Sequence, residues 1–139
     1  MYSRAMETIF TKIERGDIPS TKVYEDDVCF VIMDINPVKK GHCLVIARQS
    51  YPNVGACPDE VLTHMILVAK RIEDRQRKVL GNQGSNIIIN NDPASGQEVP
   101  HIHIHVIPRF DGDGRKHFQE HDKYADGEMK AFGDRLRIS

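Results

Sequence analysis

No excess of charge of either sign marks this chain. Its 139 residues carry 19 basic and 20 acidic side chains, for a formal net charge of −1. That excludes a global electrostatic pull toward nucleic acid or a membrane surface, so any anion-handling site has to be local. No apolar stretch approaches the ~20 residues of a membrane span. The first residues lack the apolar core of a signal peptide. Internal repeats and low-complexity segments are missing too, which excludes solenoids and arrays. Cysteine is scarce and odd in number, with Cys29, Cys43 and Cys57 alone. The spacings are wide, and Cys29 and Cys43 lie inside apolar runs. The three read as reduced structural thiols of a protein kept in a reducing cytoplasm. Met6 would serve equally as a first residue, so 1–5 read as an extension.

What is present is ordinary for one globular domain: 40% hydrophobic and 28% charged residues, long enough to bury a core without disulfides or metal. The domain core is expected over about 6–110, with a tail over 111–139. A short helix is predicted over 8–14, with Ile9, Phe10 and Ile13 on one side and Gly16 past its end. Short strands follow over 23–25, 28–33 and 42–47, punctuated by Asn36-Pro37 and Gly41. The clearest element is a helix over 58–80, where Val61, Leu62, Met65, Val68, Ala69, Ile72 and Val79 recur at helical spacing. A strand over 85–91 leads into a turn dense in Asp92, Pro93, Ser95 and Gly96. The last strong strand, 101–107, is closed by Pro108. The tail begins as a loop and ends in a helix over Glu128–Leu136. Grouped strands with helices between and after them make the fold class α+β, with a mostly antiparallel sheet.

The chemistry concentrates in Pro100-His101-Ile102-His103-Ile104-His105-Val106-Ile107. Successive strand side chains point to opposite faces. His101, His103 and His105 therefore share one face, while Ile102, Ile104 and Val106 share the other. With seven histidines in the chain, a chance H-x-H-x-H arises about once in fifty such sequences, so the row calls for a functional account. Two plainer readings compete, an exposed sheet face and a metal site. Residues two and four apart on a strand stand ~6.6 and ~13 Å from each other. Zinc holds nitrogen at ~2.0–2.1 Å, so three such rings cannot converge on one ion. A neutral imidazole is a competent nucleophile toward phosphorus near neutral pH, and neighbouring rings supply donors to a phosphate and its leaving group. Gly96, Gln97 and Glu98, just before the strand, offer successive N–H groups for an anion nest. A hairpin turning near Ser95 and Gly96 would return Asn90 opposite the row.

That histidine segment resembles the signature of the histidine triad (HIT) superfamily. The likeness runs from about Thr8 to Pro108. Thr8-Ile9-Phe10-Thr11-Lys12-Ile13, Gly16-Asp17-Ile18-Pro19-Ser20 and Val23-Tyr24-Glu25-Asp26-Asp27 resemble the start of bacterial Hit and Hint members. Asp34-Ile35-Asn36-Pro37, Gly41-His42 with Leu44-Val45-Ile46, and Gly96-Gln97-Glu98-Val99-Pro100 continue the match. The resemblance implies a HIT-like fold, with a five-stranded sheet, one long helix and a short N-terminal helix. It also implies a homodimer whose sheets join into one.

It further implies cleavage at the α-phosphate of purine nucleoside phosphoramidates, acyl adenylates or dinucleoside polyphosphates, through a nucleotidyl-histidine intermediate. By position His103 is the nucleophile, flanked by His105 and His101 and supported by His42. Asp34 matches the ribose-binding carboxylate. Phe10, Ile32 and Ile35 match walls of the base pocket. Asn90, Gly96 and Glu98, with Gln97 between, match the phosphate side. The expected partners are a purine nucleotide and a second copy of the chain, with neither nucleic acid nor membrane, and no cofactor is called for. The alternative is a nucleotide-binding regulatory or scaffold protein with incidental turnover. Many bacterial relatives bind zinc through C-x-x-C and a later histidine. Here those positions are Thr8, Thr11 and Ser50, so no structural metal is expected. Glu98 stands where the animal Hint branch has serine.

Overall fold

Alternation along the chain sorts its apolar residues onto two sheet faces, and the fold follows from how unequally those faces are covered. The computed structural model describes residues 7–116 and 120–138. In chain order it has α1 (Ile9–Arg15), β1 (Lys22–Glu25), β2 (Cys29–Met33), β3 (Cys43–Ala47), α2 (Asp59–Leu80), β4 (Gly84–Ile88), a 3-10 turn (Pro93–Ser95), β5 (His103–Arg109) and α3 (Glu128–Leu136). The five strands form one antiparallel sheet in the order β1-β2-β3-β5-β4. The extension read over 1–5 lies outside the described residues. No helix among the described residues is long and apolar enough to cross a membrane.

One face is covered at its centre by the long helix. The 22-residue α2, ~33 Å long at 1.5 Å per residue, lays Met65, Val68 and Ala69 on Val31, Val45, Ile102, Ile104 and Val106. The helix begins with Asp59 and Glu60 and ends with Arg77 and Lys78, charges placed to suit its dipole. Val79, read from the spacing as part of the apolar stripe, is 65% exposed. Gln76 is buried in that last stretch instead, donating to the carbonyls of Gly41 (2.9 Å) and Val106 (3.0 Å). A helix end that meets strand carbonyls needs a donor there more than a methyl group.

The other face is covered only in part. The seven-residue α1 sets Phe10 and Ile13 on Phe30, Ile32, Leu44 and Ile46, over β2 and β3. Thr8 caps this helix by a capping box with Thr11, and Gly16 closes it in the left-handed region at φ 88°, where a side chain would be strained. Over β5 its Phe10 meets the ring of His103, while His105, further along the strand, is only half-buried.

Several strand limits differ from the sequence reading. β4 stops at Ile88 rather than 91, and the connection to β5 runs through Asp92 and the 3-10 turn to Gly96 at φ 99°. β5 begins at His103, so His101 precedes the strand, and it continues through Pro108 to Arg109. Pro108 is tolerated because pairing with β3 reaches only Val106, leaving β4 as its one neighbour. The expected helix over Glu128–Leu136 is present, with no buried residue. Cys29, Cys43 and Cys57 are free thiols, all buried.

Behind the site, Asp26 ties the β1–β2 turn to α2. It accepts hydrogen bonds from the N–H groups of Val28 and Cys29, from the Tyr24 hydroxyl and from His64 on the helix. Burial pushes its carboxyl pKa up, but these four bonds outweigh that and hold it well below the usual range.

Candidate active site

The pairing His105↔Leu44 and His103↔Ile46 puts both rings on the half-covered face, their centroids 5.0 Å apart. Hydrogen-bond partners fix which nitrogen of each ring carries its proton. The Nε2 of His101 lies 2.6 Å from the Ala47 carbonyl oxygen, which only accepts, so the proton is on Nε2. Its Nδ1 is then a lone pair and accepts from the Thr8 hydroxyl at 2.7 Å. The Nδ1–H of His103 donates to the backbone carbonyl of His101 at 2.7 Å. That leaves the Nε2 of His103 with a lone pair. In His42 the Nδ1 accepts from the Val38 N–H at 3.1 Å, so its Nε2–H donates to Nδ1 of His105 at 2.9 Å. The proton of His105 is consequently on Nε2. The row thus offers one nucleophilic nitrogen, on His103, beside one N–H donor, on His105.

Electrostatics keep the row neutral at pH 7. Burial lowers the pKa of His101, His103 and His42 below the ordinary histidine value. Burial, together with the neighbouring His103 and His42, pulls His105 down to about 4. Folding linkage follows with a definite sign. Above an unfolded-state pKa of ~6.5 neither state is protonated at these rings, and the fold keeps its full stability. As pH falls from there toward 4, the unfolded chain binds protons that the folded chain refuses, so stability is lost. The melting temperature is expected to drop between pH 7 and pH 5, and to drop less in a His105→Asn variant. Parallel curves for the two proteins would contradict this.

Around the row, Phe10 meets His101 and His103 edge-on, at centroid distances of 5.5 and 4.9 Å, which fixes both ring planes. Asp34 follows β2, its Oδ1 accepting from the Asn36 N–H at 2.8 Å and its Oδ2 3.6 Å from Nε2 of His42. Ile32 is buried beside Phe10, but Ile35 is 95% exposed. The bond from the Asp34 N–H to the His42 carbonyl is the last rung toward β3, and the bend at Ile35 and Asn36 then takes the chain off the sheet. Asn90 joins His42 and His105 in lining a cleft of about 520 Å³, together with Asn86, Arg115 and Lys116.

The turn before β5 behaves differently from the nest read in the sequence. The N–H groups of Gly96 and Gln97 donate inward, to the carbonyls of Pro93 (3.0 Å) and Asp92 (3.4 Å). The Gln97 side chain braces the loop between the Asp92 N–H and the Pro52 carbonyl, each at 2.7 Å. Two of the three expected donors therefore face away from a ligand. Glu98 is exposed, and its charge favours the protonated form of His103.

The residues at the relatives' metal position do not fit zinc. The Thr8 and Thr11 hydroxyls cap α1, both nitrogens of His101 are engaged, and hydroxyls are poor zinc ligands. Asp34, His42 and His105 also bring donor atoms within 4.8 Å of one another. There the two ring nitrogens stand 2.9 Å apart, closer than the roughly 3.3 Å that two nitrogens on a tetrahedral zinc require. Sequence reasoning missed the Thr8–His101 bond. Its one local signal was a threonine at the start of a helix with another three residues on.

Comparison with known proteins agrees with this geometry. The HIT domain matches residues 15–112. An uncharacterised HIT-like protein of Methanocaldococcus jannaschii is 44% identical over 106 residues, spanning 76% of this chain and 81% of that protein. The adenylylsulfatase HINT3 of Arabidopsis thaliana is 39% identical over 107 residues, 77% of this chain but 54% of that longer protein. The crystal structure of a HIT family protein from Bacillus anthracis superposes with a TM-score of 0.83 at 31% identity, covering 95% of this chain and 96% of that one. With a five-stranded antiparallel sheet, three histidines in alternation and a domain match across most of its length, the chain belongs to the HIT family.

Proposed function

We propose that this chain is a nucleotide hydrolase or transferase that acts at the α-phosphate of purine nucleotides through a nucleotidyl-His103 intermediate. The observation that carries the reading is the lone pair on Nε2 of His103, set free because its Nδ1–H is held by the His101 carbonyl. That lone pair attacks phosphorus and forms an N–P bond. The bond from phosphorus to the leaving group breaks, and its electron pair departs with that group, which takes a proton from the His105 Nε2–H where it needs one. Water then attacks phosphorus, the N–P bond breaks back onto Nε2 of His103, and the water's proton passes to His105 where that ring gave its own to the leaving group, and to solvent where it did not. Asp34 is positioned to accept from ribose hydroxyls, with Phe10 and Ile32 beside the base.

The adenylylsulfatase relative supports nucleotide cleavage as the reaction class. The phosphoramidate, acyl adenylate and dinucleoside polyphosphate substrates are all of this type. β4 is a sheet edge next to the site, and we assign to it the homodimer contact that joins two sheets. Three buried free thiols suit a cytoplasmic location.

The test is to incubate the protein with adenosine phosphoramidate and with a diadenosine polyphosphate. Quenching under denaturing, alkaline conditions is expected to leave one nucleotidyl group on the peptide fragment that carries His103. Turnover with no adduct on that residue would overturn the reading.

A further inference from the structure

β5 divides the half-covered face. On its β3 side lie the apolar Phe10, Ile32, Leu44 and Ile46. On its β4 side the pairing sets Ile88 level with His105 and Asn86 level with Ile107, and Asn86, Ile88 and Asn90 line one cleft with His105. That second half carries the 520 Å³ cleft, and among the described residues no carboxylate lines it.

The segment after β5 is folded against this cleft by one residue. Arg109 holds the Asp113 carboxylate with two hydrogen bonds (2.8 and 2.9 Å) and Asn86 Oδ1 with a third (2.7 Å), and it donates as well to the Arg115 carbonyl. Asp113 also accepts from the N–H groups of Phe110 (3.1 Å) and Arg115 (2.9 Å). Its charge is thus fully engaged with Arg109 and the backbone. Arg115 and Lys116, which line the cleft, make no ion pair among the described residues. The histidines bring no charge, so a multiply charged substrate would find its counter-charge in these two side chains.

We propose that the β4 half of the face, with Arg115 and Lys116, is a subsite for an anionic leaving group. The inference rests on the nucleotidyl-transfer reading and narrows its substrate class. The nucleoside occupies the apolar half, and the group expelled from phosphorus extends over the polar half. When the P–O bond breaks, the electron pair leaves on an oxygen of sulfate or of a phosphate chain, and the guanidinium and ammonium meet the charge that grows there. A neutral amine leaving group gains nothing from them. Arg115 and Lys116 are specificity-determining residues here, and the bond-making groups remain on β5.

The test is a double variant, Arg115→Gln with Lys116→Gln, assayed beside the unaltered chain on three substrates. Adenosine 5′-phosphosulfate and diadenosine tetraphosphate have anionic leaving groups, and adenosine phosphoramidate releases ammonia. The value of kcat/KM is expected to fall at least ~10-fold for the first two, more steeply at low salt, and to stay within about twofold for the third. A loss on one anionic substrate alone identifies sulfate or a phosphate chain as the group recognised. An equal fall on all three, or no fall on either anionic substrate, overturns the subsite. If the unaltered chain turns over none of the three, the nucleotidyl-transfer reading itself fails, and the subsite with it.

Discussion

Replacing His103 with alanine is expected to lower turnover by roughly four to six orders of magnitude while leaving nucleoside monophosphate affinity within a few fold. The size of the loss follows from the proton assignments. Of the other rings, His101 has both nitrogens engaged, by Thr8 and by the Ala47 carbonyl. His42 accepts on Nδ1 and donates from Nε2, and His105 accepts on Nδ1 and carries its proton on Nε2. No other nitrogen in the row presents a lone pair to a ligand, so none can stand in for the missing nucleophile. Binding survives because Asp34, Phe10 and Ile32, proposed above to hold the nucleoside, are untouched. Kinetics on the variant, with titration calorimetry of AMP, check both halves. Turnover within about tenfold of the unaltered chain would remove His103 from the chemistry.

Thr8→Val is expected to destabilise the protein by about 2–4 kcal/mol and to lower kcat as well. Its hydroxyl does two jobs at once. It accepts from the N–H groups of Phe10 and Thr11 at the start of α1, and it donates to the buried Nδ1 of His101. Loss of a helix cap costs ~1 kcal/mol. A buried acceptor left without a donor costs ~1–3 kcal/mol more. His101 is 0% exposed, so water has no access to replace the bond. The catalytic effect runs through the backbone, because the carbonyl that orients His103 belongs to the residue that Thr8 anchors. Thr8→Ser keeps the hydroxyl and is expected to restore both melting temperature and kcat. A serine variant as impaired as the valine one would show that methyl packing, not the hydroxyl, is what the site needs.

Local patterns were legible wherever the physics is local. The alternation of His and Ile fixes two faces of β5 whatever surrounds it, and Gly16 and Gly81 close their helices by left-handed turns that favour glycine. The contacts that complete the site span long stretches of chain. Thr8 and His101 are 93 residues apart, and no periodicity in either segment announces their bond. Ile35 lies just past the end of β2, and its exposure follows from the bend there, which takes the chain off the sheet. Gln76 breaks an apolar stripe because two carbonyls at a sheet margin need donors, a demand invisible until helix and strands are docked. Arg109 likewise reads as one more basic residue of a loop. Its four hydrogen bonds run to three residues, on β4 and in the following turn.

The Nδ1 proton of His103 is retained by a main-chain oxygen. Such an acceptor is immune to genetic drift in a way that a carboxylate orienter is not. Every amino acid at position 101 brings the same carbonyl, so a codon change there can tilt it but cannot delete it.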